Sequence, residues 1–191
     1  MTTTGRTPRQ QRSAERREAL IEAGVWLLIE SGPGGFSARS VAAQARLPLA
    51  AVSYYFPVLD ELLAAAARRV FLEWIEHGRS VAAEVREHGA DAAARAITAA
   101  LLPPGDATAA LSRYEQMLAA ARTPPVATAL GALRPDFEAI IAEVLQRTRV
   151  RTPLSPNILL SLVDGTVVGC LAEGRPDPAA ETIAALRDVL S

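Results

Sequence analysis

Apolar residues recur at spacings of three and four along most of this chain, and the alternating runs that would build strands do not occur. The pattern predicts an all-α fold. From Ser13, a candidate N-cap, to about Glu30, Ile21, Val25, Leu28 and Ile29 share one face, and Arg16, Arg17, Glu18 and Glu22 surround the other. Ser-Gly-Pro-Gly-Gly at 31 to 35 ends that helix. A later helix starts near Asp60 and Glu61, acids placed well for its dipole, and runs through Leu62, Ala66, Val70, Phe71 and Trp74 to about His77. Breakers then set off further helices at Asp91 to Leu102, Asp106 to Arg122, Pro135 to about Val150, Pro156 to Glu173 and Pro178 to Val189, with Asp91, Asp106 and Ser155 as candidate caps. Residues 1–12 hold Arg6, Arg9 and Arg12 among polar residues with nothing to bury, and are expected to form an arm without structure of its own.

Phe36 to Phe56 carries a more specific pattern, that of two short helices joined by a tight turn. Ser37 is a good N-cap for the first, which runs through Val41, Ala42 and Ala45. The turn falls near Arg46 and Leu47. Pro48 stands where the second helix begins, a position at which the missing amide hydrogen costs nothing. Ala42 is small enough for the helices to cross closely, Leu47 plugs the corner, and Val52 closes the contact, with Phe56 four residues on along the same face. Packing uses the inner face of the second helix. Leu49, Ala50, Ala51, Ser53 and Tyr54 are left pointing outward, small or hydrogen-bonding groups that suit a major groove, with Tyr55 divided between core and surface.

The order and spacing of Ser37, Val41-Ala42, Ala45-Arg46, Leu47, Val52-Ser53-Tyr54-Tyr55-Phe56 and Leu62 resemble the DNA-binding domain of the TetR family of ligand-responsive transcriptional repressors. The likeness covers about the first third of the chain. It implies a DNA-binding domain at 1–57, with its helix-turn-helix at about 37–56, and an effector-binding and dimerisation domain at 58–191. It also implies a homodimer that binds a near-palindromic operator in double-stranded DNA and is released by a small-molecule effector. Arg39 matches a family position from which an Arg reaches a base edge or phosphate, which puts Ser37, Arg39 and the outward face of the second helix in the DNA contact. Arg46 stands where the family usually has Gly, at a turn residue expected to need a positive φ. Leu59 stands where a Lys often touches the backbone, and Ser53 where a Tyr is frequent.

Charge supports a polyanionic partner at that end. Residues 1–56 hold seven Arg against four Glu, net +3, while 57–191 carry net −4. One cysteine, Cys170, excludes an internal disulfide, and with His77 and His88 as the only histidines there is no zinc-ligand set. G-x-S-x-G, H-E-x-x-H and a phosphate-cradling Gly-rich loop are all missing, so an enzyme is not expected, and neither a catalytic residue, a metal nor a cofactor is assigned. No apolar run is long enough to span a bilayer and no signal peptide is recognised, which predicts a cytoplasmic protein without a membrane partner.

Two expectations concern the C-terminal part. Pro156 to Glu173 is apolar around its circumference, with Gly165 and Gly169 making a flat strip, so it must be covered by its own domain or by a second copy. The family likeness points to a dimer built from this helix and Pro135 to Val150. Many Ala residues leave gaps between helices, and Phe71, Trp74, Tyr114, Gln116 and Phe137 are the candidate lining of an apolar effector cavity. A helical interaction module and a small enzyme using that cavity remain as other readings.

Overall fold

The computed structural model describes residues 7–102, 107–120 and 122–191, and the side chains of Pro33, Ala107, Ala109, Gln116 and Ala120 lie outside what it describes. Among the described residues the chain forms α1 (Pro8–Ser31), a 3-10 turn (Pro33–Gly35), α2 (Ala38–Gln44), α3 (Leu49–Tyr55), α4 (Leu59–Glu84), α5 (Ala90–Leu101), α6 (Ala107–Ala120), α7 (Pro124–Gly131), α8 (Arg134–Thr148), α9 (Pro156–Ala172) and α10 (Pro178–Leu190), with no strand. The fold is all-α, as the spacing of apolar residues predicts. No single helix among these residues is long and apolar enough to cross a membrane.

Four boundaries differ from the sequence expectation, each for a physical reason. Helix α1 starts at Pro8, not Ser13: the Thr7 hydroxyl accepts from the Gln10 amide, and the Gln10 side chain accepts from the Thr7 amide, a capping box that outcompetes Ser13. Residues 8–12 of the expected arm are therefore helical, and Arg9 and Arg12, rather than Arg16 and Arg17, lie near the helix start. Helix α4 passes His77 to Glu84 because Gly78 is held inside it by packing: a Cβ there would come within 2.8 Å of the Ala100 carbonyl oxygen. Asp91 is not a cap. Gly89 takes that position with φ 92°, and Asp91 sits in the first turn of α5, where its carboxylate pairs with Arg95 and Arg187. Asp106 lies outside the described residues. Finally, Pro124 and Pro125 open α7, a helix the sequence reading took for a linker; proline at the first helical positions is a start signal as much as a stop.

Three clusters of buried side chains hold the molecule together. Leu20, Ile21, Ala23 and Leu27 of α1 pack with Val41, Ala42, Val52, Phe56 and Leu62 to close the N-terminal unit. Leu28, Ala66, Ala67 and Val126 form a small junction below it. The largest cluster runs from Val70, Phe71 and Trp74 through α5, α8, α9 and α10. Helix α4 contributes to all three, so it is the structural link between the ends of the molecule. Its crossing with α1 is close because Gly24 faces Ala66, and the Arg69–Glu18 ion pair at 2.6 Å ties the same two helices at their surface.

Candidate DNA-facing surface and interior cavity

The helix-turn-helix is built by local chemistry. Ser37 accepts from the Ser40 amide at 3.1 Å, while the Ser40 hydroxyl accepts from the Ser37 amide at 2.9 Å and donates to the Gly35 carbonyl. Ser37 is thus committed to capping, an interaction that typically contributes about 1 kcal/mol. Helix α2 ends in a Schellman turn: the Leu47 amide donates to the Ala42 carbonyl at 3.0 Å and the Arg46 amide to the Ala43 carbonyl at 3.1 Å. Arg46 has φ 54°, the left-handed conformation expected of it. The turn aims α3 across α2, with Val52 and Phe56 buried and Leu47 packed at the corner. Arg17 from α1 covers the Phe56 ring, its guanidinium carbon 4.7 Å from the centroid, and so holds the end of α3 against α1.

What remains of α3 faces outward. Tyr54 is 75% exposed and Leu49 47%; Ala50 and Ser53 are exposed, and Ala51 is half-buried. Tyr55 is shared, packed against the N-terminal cluster while meeting Tyr54 edge-on at a centroid distance of 4.9 Å. Arg39 projects from the first turn of α2, exposed and with no ion pair among the described residues. At the start of α1 the chain is helical where the sequence suggests an arm without structure of its own. Arg9, Arg12 and Arg16 line a groove whose other wall is Pro48, Ala50, Ala51, Tyr54 and Tyr55. Their spacing on one helical face was the available signal, lost because residues 1–12 were read as an arm.

The C-terminal part holds a half-open cavity of about 330 Å3. Phe71 and Trp74 of α4, Met117 of α6, Leu130 of α7, Phe137 of α8 and Leu160 of α9 supply apolar walls, and Arg134 and Asp164 are its charged members. Phe71, Trp74 and Phe137 of the predicted set line it. Their rings interlock, Trp74 meeting Phe137 at 5.2 Å and Phe71 at 5.4 Å between centroids. Tyr114 lies behind this wall, its ring edge-on to Trp74 and its hydroxyl donating to Asp164 Oδ1 at 3.3 Å. The Gln116 side chain falls outside the described residues. Burial, with the Asp164 charge beside it, pushes the Tyr114 phenol up, and burial likewise raises the Asp164 carboxyl, partly offset by the Tyr114 hydrogen bond and the Arg134 charge. The Trp74 indole N–H is buried with no acceptor among the described residues. Asp164 and Arg134 were not predicted. An acid in the middle of the apolar run Pro156 to Glu173 is the sequence signal for the first.

Gly165 and Gly169 are not packed against their own domain. A Cβ at Gly165 would meet nothing within 4 Å, and one at Gly169 only the Arg175 guanidinium at 3.7 Å. With Ile158, 50% exposed, they form an outward strip on α9, so of the two coverings expected, the one by its own domain is not made at these glycines. The two glycines face outward because Val163, Val167 and Cys170, on the opposite side of α9, fill its contact with the core.

An all-α chain with an N-terminal helix-turn-helix, joined by one long helix to a hollow helical domain, has the architecture of a one-component transcriptional regulator. Residues 84–191, more than half of the chain, match the tetracyclin repressor-like C-terminal domain, and the chain belongs to the TetR family of transcriptional regulators. The HTH-type transcriptional regulator PksA of Bacillus subtilis (strain 168) is 41% identical over 63 residues, which cover 33% of this chain and 31% of that protein, so the chain spans only about a third of the length of this curated relative. Among solved structures, the multidrug binding protein EbrR complexed with proflavin is 27% identical with a TM-score of 0.69, covering 91% of this chain and 99% of that one. EbrR complexed with imidazole gives 25% and 0.68 over 92% and 95% of the two chains. SCO7518 of Streptomyces coelicolor A3(2), 20% identical with a TM-score of 0.72 over 93% and 99%, shares the fold. Regulators of this family bind DNA and small-molecule ligands, dimerise, and are non-enzymatic.

Proposed function

We propose that the protein is a cytoplasmic homodimeric repressor that leaves a near-palindromic operator when a small molecule enters the cavity between α4, α7 and α9. The observation that carries this reading is the place of α4: Leu62 is packed beneath the helix-turn-helix, while Phe71 and Trp74, further along the same helix, wall the cavity. Helix α7 adds a second connection, since Val126 packs with Leu28 and Ala66 at the junction and Leu130 lines the cavity. A ligand that prefers one position of these helices biases the spacing of the two recognition helices in the dimer; a hundredfold preference corresponds to about 2.7 kcal/mol of coupling.

On the DNA side, α3 enters the major groove with Leu49, Ala50, Ala51 and Ser53 against the bases. Tyr54 and Tyr55, with Arg9, Arg12 and Arg16 across the groove beside them, meet phosphate oxygens. Leu and Ala cannot form bidentate pairs, so base choice leans on thymine methyl groups and DNA shape, with Arg39 the donor-rich contact from α2. Two such units a helical turn or so apart supply the specificity that one lacks. The dimer forms through the outward strip of α9, where Gly165 and Gly169 allow close approach, together with α8. The solved EbrR complexes with proflavin, ethidium and malachite green support the reading of the cavity as an effector site.

The test is selection of bound sequences from random duplexes by the full-length protein, followed by salt titration of the winner. A near-palindromic consensus whose affinity falls steeply with salt is expected. A selection that enriches nothing, or a single unpaired half-site, would overturn the dimeric-operator reading.

A further inference from the structure

The charge inside the cavity is unevenly matched. Asp164 sits in the middle of α9 among apolar neighbours, takes its hydrogen bond from the neutral Tyr114 hydroxyl, and forms no ion pair among the described residues. Arg134, the cationic group of the lining, is already engaged: its Nε and Nη2 donate to Asn157 Oδ1 at 3.0 and 2.6 Å, Nη2 also reaches Ser161, and Glu138 lies 3.4 Å from Nε. An incoming anion would meet a guanidinium whose charge Glu138 already balances and whose Nε and Nη2 are taken, whereas an incoming cation finds a carboxylate that feels the Arg134 charge but makes no direct ion pair. A half-buried carboxylate with no direct ion pair gains from a cationic partner that arrives already desolvated by its own apolar body. The surrounding rings act in the same sense, because the faces of Phe71, Trp74 and Phe137 attract positive charge and repel negative.

We propose that the cavity is selective for organic cations with a flat apolar body, the positive centre facing Asp164 and the rings lying among Phe71, Trp74 and Phe137. The inference rests on the cavity being the effector site and adds the chemistry that such an effector must have. The volume of about 330 Å3 limits the ligand to a compact aromatic frame, at the small end of the usual range for ligand pockets. Asp164 would act as the selecting residue: it separates a cation from its uncharged twin, while the apolar walls supply affinity common to both.

The experiment uses three probes of one shape, N-methylacridinium, uncharged acridine at mildly alkaline pH, and acridine-9-carboxylate. The full-length protein carries Trp26→Phe, which leaves Trp74 as its single emitting tryptophan. Quenching should report the cation binding about tenfold or more tighter than acridine, with the carboxylate weakest. In Asp164→Asn the cation and acridine should come within about twofold of each other, with acridine affinity unchanged. Tightest binding by the carboxylate, a cation preference that survives Asp164→Asn, or no binding by any probe would each overturn the proposal. The three-probe series on the wild-type side chain decides the charge preference even if the variant folds poorly. Release of operator DNA, followed on the same samples, separates the two readings. A cation that binds through Asp164 yet leaves DNA bound overturns the regulatory reading alone, and release by uncharged probes in preference to cations overturns the selectivity alone.

Discussion

The N-terminal unit and the cavity domain are made of the same Ala-rich helices, yet they place their side chains to opposite ends. In the first, the packing groups Val41, Ala42, Val52 and Phe56 come from one short stretch whose cap and turn are set by adjacent residues, and that preformed corner closes against α1 and Leu62. In the second, the cavity wall is gathered from residues as far apart as Phe71 and Asp164, on helices whose connections do little to dictate how they meet. A corner specified locally presents the same shape once α1 closes it, which suits a part that must match a fixed helical repeat. A wall assembled from distant helices can change one residue at a time, which suits a part that must match a particular ligand.

The comparison can be broken at its weakest joint, the outward strip of α9. Gly165→Arg should leave the protomer folded, since nothing lies within 4 Å of a Cβ there, but should give a monomer by sedimentation. Operator affinity is expected to drop on the order of a hundredfold as the second recognition helix is lost. A stable dimer in that variant would move the interface elsewhere. Next in size, Arg39→Ala should weaken operator binding by roughly 1 to 3 kcal/mol with no change in melting temperature, because Arg39 has no ion pair to lose. Equal affinity for variant and wild type at moderate salt would remove it from the interface.

A smaller effect sharpens the contrast between the two regions. Arg46 ends α2 and Arg149 ends α8 with the same left-handed turn, at φ 54° and 59°, while Gly174 serves after α9 at 65°. Arg46→Gly and Arg149→Gly should each stabilise the protein by about 1 kcal/mol, read as a rise in denaturation midpoint. A loss in one and a gain in the other would identify a compensating contact made by the arginine that loses. The last effect is one of slope. Burial raises the Asp164 carboxyl, so the folded state holds its proton more tightly than the unfolded chain, and this contribution is complete at low pH and lost as pH rises through the raised value. Asp164→Asn should therefore become the more stable of the pair, relative to wild type, as pH goes from about 4 to 7. A constant gap between the two midpoints would show that the carboxyl titrates normally.

Local signals were read well from the sequence and distant ones poorly. The cap at Ser37, the corner at Leu47 and the positive φ of Arg46 each follow from a few adjacent residues, and each is present. The start of α1 was missed because a Thr-Pro-x-Gln box competes with Ser13, and only the hydrogen bonds decide between them. Helix α7 was missed because paired prolines mark both beginnings and ends. Three of the cavity rings were found because large aromatics in a chain with few of them must converge somewhere, but Asp164 acquires its meaning only from Tyr114 and Arg134, neither close to it in sequence.

Gly78 gives α4 a mechanical property. Its missing side chain lets the Ala100 carbonyl and the Ile140 methyl lie close to the helix backbone, so α4 is held closely here, and a ligand that tilted the helix about this contact would use it as a fulcrum. At 1.5 Å per residue, Trp74 is about 6 Å from that fulcrum and Leu59 about 28 Å, on the opposite end of the same stiff rod. A shift of the indole by a few tenths of an ångström would then sweep the DNA end through a distance about five times larger, which turns a ligand-sized adjustment into a displacement that a recognition helix can register.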